Sequence, residues 1–273
     1  KSNIFAKKFI EEKKQKIQTD YKISKSKRMA FETFVLNQDA SGEIFTYISG
    51  ACKFLLRCID PNHQYPNSII QSPLISESDP EFIEKYDDQN YLRSKAPVPF
   101  KYFPVTILEG ILKYCNIMVR FVYSPMREHA MIQPFLDLAT VLLRNNELLS
   151  NPHIKSDLIT VIAICSAEQK NNNVPNGNDW FMDEAKPGFM MNEIISNKMA
   201  NDSLLYGLLD FYIRVEKTGG SNEFYDKFNS RYYISMILEQ LYKIPFFKQQ
   251  LMHIALSSEY KKFFTTLIAR MLN

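Results

Sequence analysis

Apolar residues recur three and four positions apart along most of the chain, the spacing that lines one face of a helix. The broadest such face lies in residues 202–245, where Leu204, Leu205, Leu208, Leu209, Tyr212 and Ile213 fall together. Asp202 or Ser203 stands where an N-cap oxygen would accept from the first free amides. Thr218-Gly219-Gly220-Ser221 then interrupts the period, because glycine admits the backbone conformations that end helices. A second period runs through Phe228, Tyr232, Ile234, Ile237, Leu238 and Leu241 and stops at Pro245, which a helix interior excludes. The pattern predicts an antiparallel helix pair with a short Gly-Gly loop.

The same reading extends to the rest of the chain. Residues 1–20 predict a helix with a weak apolar stripe, and residues 25–37 a second, carrying Met29, Phe31 and Phe34. Residues 43–59 form a strongly apolar helix that Asp60-Pro61 ends. The Pro-, Ser- and Asn-rich segment 60–79 reads as a long surface loop. Asp79-Pro80, Ser124-Pro125 and Asn151-Pro152 each pair a capping side chain with a proline of the first turn. Pro97, Pro99 and Pro104 mark an irregular approach to a long helix from Ile107 to Val122. Further helices run from Met131 to Leu142 and from Ile154 to Cys165. Residues 166–188 lose all periodicity, and Asn171-Asn172-Asn173 and Asn176-Gly177 imply an excursion. Its Trp180, with Phe181, either anchors a partner or pins the loop to the core. Helices at 189–199, 246–256 and 258–272 complete the chain. The expectation is one all-α domain over 1–273, an irregular α-solenoid of armadillo- or HEAT-like repeats. A compact helical bundle is the alternative.

Composition narrows the function classes. Eight glycines disfavour a fold of many tight β-turns, and no apolar run reaches the roughly 18 residues of a membrane span. Residues 1–28 hold ten Lys or Arg against three acids, a net +7 that leaves −4 on the remainder. Such an arm suits nucleic acid or an acidic protein surface, or is simply a solvated helix face. The negative remainder argues against a general nucleic-acid binder. Lys1 at the start and a helical pattern running to Asn273 predict a piece of a longer chain. Cys52, Cys58, Cys115 and Cys165 form no Cys-x-x-Cys pair and read as buried free thiols. His63, His129, His153 and His253 show no metal-ligand spacing. No phosphate loop, nucleophile elbow or His-Glu-x-x-His helix occurs, so neither a cofactor nor catalysis within these residues is expected. Asp210, Glu216, Asp226 and Glu239 are the acids near the central helices.

Residues 224–235, FYDKFNSRYYIS, pack aromatic and charged side chains more densely than amphipathicity requires. This stretch resembles the core of the U-box ubiquitin chain-elongation factors. In that family a helix ends in Thr-Gly and is followed by Phe-Tyr-Asp-Lys-Phe and Arg-Tyr-x-Ile-Ser. Here these are Thr218, Gly219, Phe224, Tyr225, Asp226, Lys227, Phe228, Arg231, Tyr232, Ile234 and Ser235. Leu55 to Pro61 matches a second family block, and Asn151 and Pro152 open a third, where His153 replaces the family's aromatic and Lys155 keeps its charge. His153 is expected to pack at the helix start. Excursion 166–188 is longer than the family's connection. The motif residues are expected to be structural, with Arg231 bonded to Asp210, Glu216 or a free carbonyl on the preceding helix. They could instead line a partner groove.

The resemblance implies the N-terminal part of an elongating-factor core, with the U-box outside these residues. It further implies a ligase that extends multi-ubiquitin chains on substrates for proteasomal degradation, in cytoplasm and nucleus, without a metal. Its implied partners are a ubiquitin-conjugating enzyme reached through the U-box, a hexameric AAA ATPase segregase, shuttle proteins with ubiquitin-like domains and ubiquitinated substrates. The competing reading is a helical-repeat interaction scaffold unrelated to ubiquitin.

Overall fold

The computed structural model describes residues 2–35, 37–76, 79–85, 88–121, 132–149, 151–167, 188–215, 223–256, 265, 268 and 269. For 2–6, 35, 38, 83, 121 and 223–227 it describes the backbone alone. Among these residues there are twelve helices and no strand, so the all-α class holds. They are α1 Ser2–Val35, α2 Gln38–Ile59, α3 Pro80–Glu84, α4 Gln89–Lys95, α5 Val98–Lys101, α6 Val105–Phe121, α7 Ile132–Arg144, α8 Pro152–Ser166, α9 Phe189–Ser196, α10 Lys198–Arg214, α11 Glu223–Tyr242 and α12 Pro245–Leu256. Their contacts divide the chain into two units, Lys1–Ile44 and Phe45–Asn273.

In the first unit α1 is one helix where the apolar pattern predicts two. No glycine or proline precedes Gly42, so nothing near residues 21–24 stops the hydrogen-bond ladder. Phe9, Ile10, Ile17, Tyr21 and Phe34 are all exposed. Asn37 Oδ1 accepts from the Ala40 amide at 2.9 Å, which starts α2 five residues before the predicted 43.

The second unit holds the larger core. Phe45, Ile48, Cys52, Leu55, Leu56 and Ile59 are buried on one side of α2, and the Phe45 ring meets Tyr114 of α6 edge-on at 5.6 Å. Beyond α2 the chain runs at the surface as predicted, but it is pinned. Asp60 accepts from the amides of Asn62, Gln64 and Tyr65. Burial opposes the Asp60 charge, yet those three amides outweigh it and hold the carboxyl below its usual range. Tyr65 and Ile70 are buried, so this loop contributes to the core. Asp79 caps α3 through the Glu81 amide, with Pro80 in the first turn. Two short helices went unpredicted. Asp88 caps α4, and α5 forms inside the proline-rich approach with Pro99 in its first turn.

Helix α7 packs chiefly against α10, and α8 against α6 and α11. Two of these contacts, α7–α10 and α8–α11, join a helix to the third one after it, an order compatible with stacked helical repeats. The start of α10 differs from the sequence reading. Asn197, in extended backbone, ends α9 and accepts from the Ala200 amide at 2.7 Å, so α10 begins at Lys198 and neither Asp202 nor Ser203 is its cap. A Cβ on Gly207 would lie 3.1 Å from the Arg144 nitrogen and 3.2 Å from the Leu143 carbonyl carbon, so glycine permits the α7–α10 backbones to approach this closely.

Among the described side chains of α11 the buried positions are Ser230, Ile234, Ile237 and Leu241. Phe228 and Tyr232, assigned from sequence to the apolar face, are exposed. Ser230 takes the inner position in their stead, within 2.7 Å of the Ser156 hydroxyl on α8. Among the described residues no helix is long and apolar enough to cross a membrane. Ser124-Pro125, residues 168–187 with Trp180 and Phe181, the Gly219-Gly220 loop and most of 258–272 lie outside the described residues.

Candidate functional site

The described motif residues singled out from the sequence lie at the start of α8 and on α11. Asn151 caps α8, its side-chain oxygen accepting from the His153 amide at 3.0 Å, and Pro152 fills the first turn. His153, in the first turn of α8, is exposed. Glu223 begins α11, so Phe224, Tyr225, Asp226 and Lys227 lie in its first turns, where the backbone alone is described. Gly219 and Glu216 lie outside the described residues. Arg231 meets the preceding helix at an aromatic ring, its guanidinium carbon 5.0 Å from the centre of Tyr212 on α10, while Asp210, one of its expected partners, bonds Arg214 and Asn146.

The densest polar chemistry lies elsewhere, where α7 turns into α8 and both meet α10. Asp210, 3% exposed, accepts from Arg214 Nε at 2.8 Å and from Asn146 Nδ2 at 2.7 Å. Lys155, also 3% exposed, donates to Asn146 Oδ1 at 2.7 Å, so one asparagine amide links the ammonium to the carboxylate. Burial pulls the Lys155 ammonium down to about 8; Asp210 opposes that fall and Arg214 adds to it. Arg144 stacks over the Tyr206 ring at 3.8 Å. Glu147 is 6% exposed, and its Oε1 has no hydrogen-bond partner. Burial pushes its carboxyl up, which Lys155, Arg144 and Arg214 offset only in part.

A second polar knot ties the 60–76 loop to α7 and α9. Tyr65 donates to Asp137 Oδ2 at 2.8 Å, and Asn197 Nδ2 donates to Asp137 Oδ1 at 2.6 Å. Burial nevertheless raises the Asp137 carboxyl. Asn145 accepts from the Leu74 amide at 2.7 Å and donates to Ser72 Oγ at 3.1 Å. Of the two knots the sequence singled out Asp210 and Lys155, but neither their partners nor the rest of the groups. Asn145-Asn146 directly after an apolar helix was the available signal, and it reads equally well as a turn.

What these knots can do is hold helices in register. The acids and the lysine of the first are sealed from solvent, so these groups are not presented to a substrate as an acid–base pair. The cysteines among the described residues are free, and Cys52, Cys115 and Cys165 are buried. Burial, with Asp137 nearby, pushes the Cys52 thiol up to about 12, the opposite of an activated nucleophile. Among the described residues no three His, Cys, Asp or Glu side chains converge on a metal position.

Among the described residues a cleft of about 440 Å³ is walled by α2, α4, the α5–α6 connection and the α7–α8 connection. Leu55, Leu108, Leu148 and Leu149 are buried along it, while Arg93 and Lys101 line it and are exposed. Glu147 borders it from the sealed side and faces a void of about water size beyond.

The ubiquitin elongating factor core family matches the chain over residues 1–273. Over 272 residues, 99% of this chain and 26% of the relative, it is 40% identical to a Saccharomyces cerevisiae protein named E4 ubiquitin-protein ligase UFD2. It is 27% identical over 184 residues to the Schizosaccharomyces pombe ubiquitin conjugation factor E4, covering 65% of this chain and 16% of that one. A probable ubiquitin conjugation factor E4 of Arabidopsis thaliana is 22% identical over 169 residues, 62% of this chain and 15% of the relative. The chain thus spans about a quarter or less of the length of these relatives. With a match along its whole length, the chain belongs to the ubiquitin elongating factor core family.

Proposed function

We propose that these 273 residues are scaffold of a U-box ubiquitin ligase that lengthens multi-ubiquitin chains on substrates bound for proteasomal degradation. One observation carries the reading: 40% identity extends through 99% of the chain to a protein named as an E4 ubiquitin-protein ligase. The sealed charges and inert thiols of the second unit suit a part that positions other components while the chemistry runs elsewhere. Transfer itself belongs to a U-box and the conjugating enzyme it binds. The AAA ATPase segregase, shuttle proteins with ubiquitin-like domains and ubiquitinated substrates are the partners this scaffold serves, in cytoplasm and nucleus. Nucleic acid and membrane are not among them.

The test is a reconstituted reaction with ubiquitin, activating and conjugating enzymes and a substrate bearing one ubiquitin. The full protein containing this region is expected to convert that substrate to long chains. The 273 residues alone are expected to add nothing, and deleting them from the full protein to return the products to short ones. Product lengths that the full protein leaves unchanged sink the ligase reading and leave an interaction scaffold.

A further inference from the structure

We propose that α1 is a docking helix for an acidic partner protein whose apolar groove closes round it, the chemistry by which calcium-loaded EF-hand sensors take basic helices. From Lys7 to Phe31 every side chain of α1 is exposed, although most helices in proteins draw their stability from a packed face. Ile10, Ile17 and Tyr21 follow one another at spacings of seven and four, so they share one stripe of the helix. They are 62%, 67% and 65% exposed. The stripe runs about 16 Å along the helix axis, and it offers three anchors to a groove of that length. A solvated face accounts for the lysines of α1 but gives no reason for three large apolar side chains in line.

Charge selects the kind of groove. α1 carries nine Lys or Arg against four acids. The charged residues three or four positions from an anchor, its neighbours on the helix surface, are Lys7, Lys13, Lys14 and Lys25 and one acid, Asp20. All four lysines are exposed, and none of them enters an ion pair among the described residues; Lys13 lies 5.0 Å over the Phe9 ring. A rim of this sign attracts carboxylates across an interface and sets a second copy of α1 against the first. The rest of the helix argues against lipid. Lys16 and Lys27 stand in line with Phe9, seven and eighteen positions on, so α1 has no broad apolar face to lay in a bilayer. Glu11, Glu12 and Asp20 interrupt the lysines that a phosphate backbone would need. This docking does not depend on the ubiquitin reading.

The probe is fluorescein-labelled calmodulin, an acidic protein with such grooves, titrated with the full protein containing this region and read by fluorescence anisotropy. Saturable binding is expected, lost when EDTA removes calcium and weaker as salt rises. Ile17→Glu is expected to weaken it about tenfold or more, and Lys13→Glu with Lys14→Glu about tenfold. Lys8→Glu with Lys22→Glu makes the same change of charge away from the stripe and is expected to stay within about twofold of wild type. All these side chains are exposed, so circular dichroism is expected to show unchanged helix content in every variant. No saturation up to about 100 μM protein overturns the proposal, and it is the result expected if the protein's own chain covers α1. Binding that persists in EDTA overturns it too, as does an Ile17→Glu protein that binds as tightly as wild type. Equal losses from the two lysine pairs, or tighter binding of phosphatidylserine vesicles or duplex DNA through α1, reduce the helix to a general cation and overturn the groove.

Discussion

On α10, Gly207 admits the backbone of Arg144, and one turn later Asp210 gathers Arg214 and Asn146 away from water. On α11, two aromatic residues of the family motif are exposed, Phe228 at 66% and Tyr232 at 61%. In sequence the two regions rank the other way round. FYDKF and RYYIS are conspicuous, whereas LLYGLLDFYIR reads as an ordinary apolar helix. The difference teaches that a distinctive motif and a structural core are separate properties. Close packing and buried charge make α7–α10 intolerant of change, while the exposed Phe228 and Tyr232 on α11 bury too little area to contribute much to folding.

The sharpest way to break that contrast is Asp210→Ala. It strips the half-buried Arg214 and Asn146 of their shared, buried acceptor, and about 3–5 kcal/mol of stability is expected to go, measured by urea denaturation. A loss below about 1 kcal/mol would mean that the cluster is solvated and that α10 is no more demanding than α11. Gly207→Ala comes next. Its new methyl meets backbone atoms that cannot rotate away, so a loss of about 1–3 kcal/mol is expected despite alanine's better helix propensity.

Lys155 sharpens the same side of the comparison through pH. Its folded-state value of about 8 lies below the ordinary 10.5, so between those two pH values the unfolded chain binds more protons. The contribution of this group to stability therefore rises with pH across that window, by at most about 1.4 kcal/mol per unit. Lys155→Met is expected to flatten the slope, and an unchanged slope would place the lysine in contact with water. The smallest effect belongs to α11. Phe228→Ser with Tyr232→Ser is expected to stay within about 0.5 kcal/mol per substitution in the same denaturation measurement. A loss as large as that of Gly207→Ala would reverse the comparison and make the motif structural.

Much of the local architecture was legible. Asp79 and Asn151 cap the helices they were expected to cap, because an N-cap acts on amides two or three residues away. The misreadings have local causes too. Asp202 and Ser203 compete as caps with Asn197, and sequence cannot say which oxygen meets a free amide. The weak apolar stripe of α1 hid its continuity, since helix propagation needs only the absence of a breaker and not a buried face.

By itself the sequence determined the all-helical class, most helix positions and the family to which the chain belongs. Each of these rests on a 3.6-residue period, on a cap acting within a few residues, or on a run of matching letters. Tertiary structure alone decided which faces are buried, where charge is sealed and where a cleft remains open. Asn146 and Asp210 are 64 positions apart, and Tyr65 and Asp137 72 apart. A polar residue reads as surface until packing supplies its partner, and that partner lies far along the chain, beyond the reach of any local pattern.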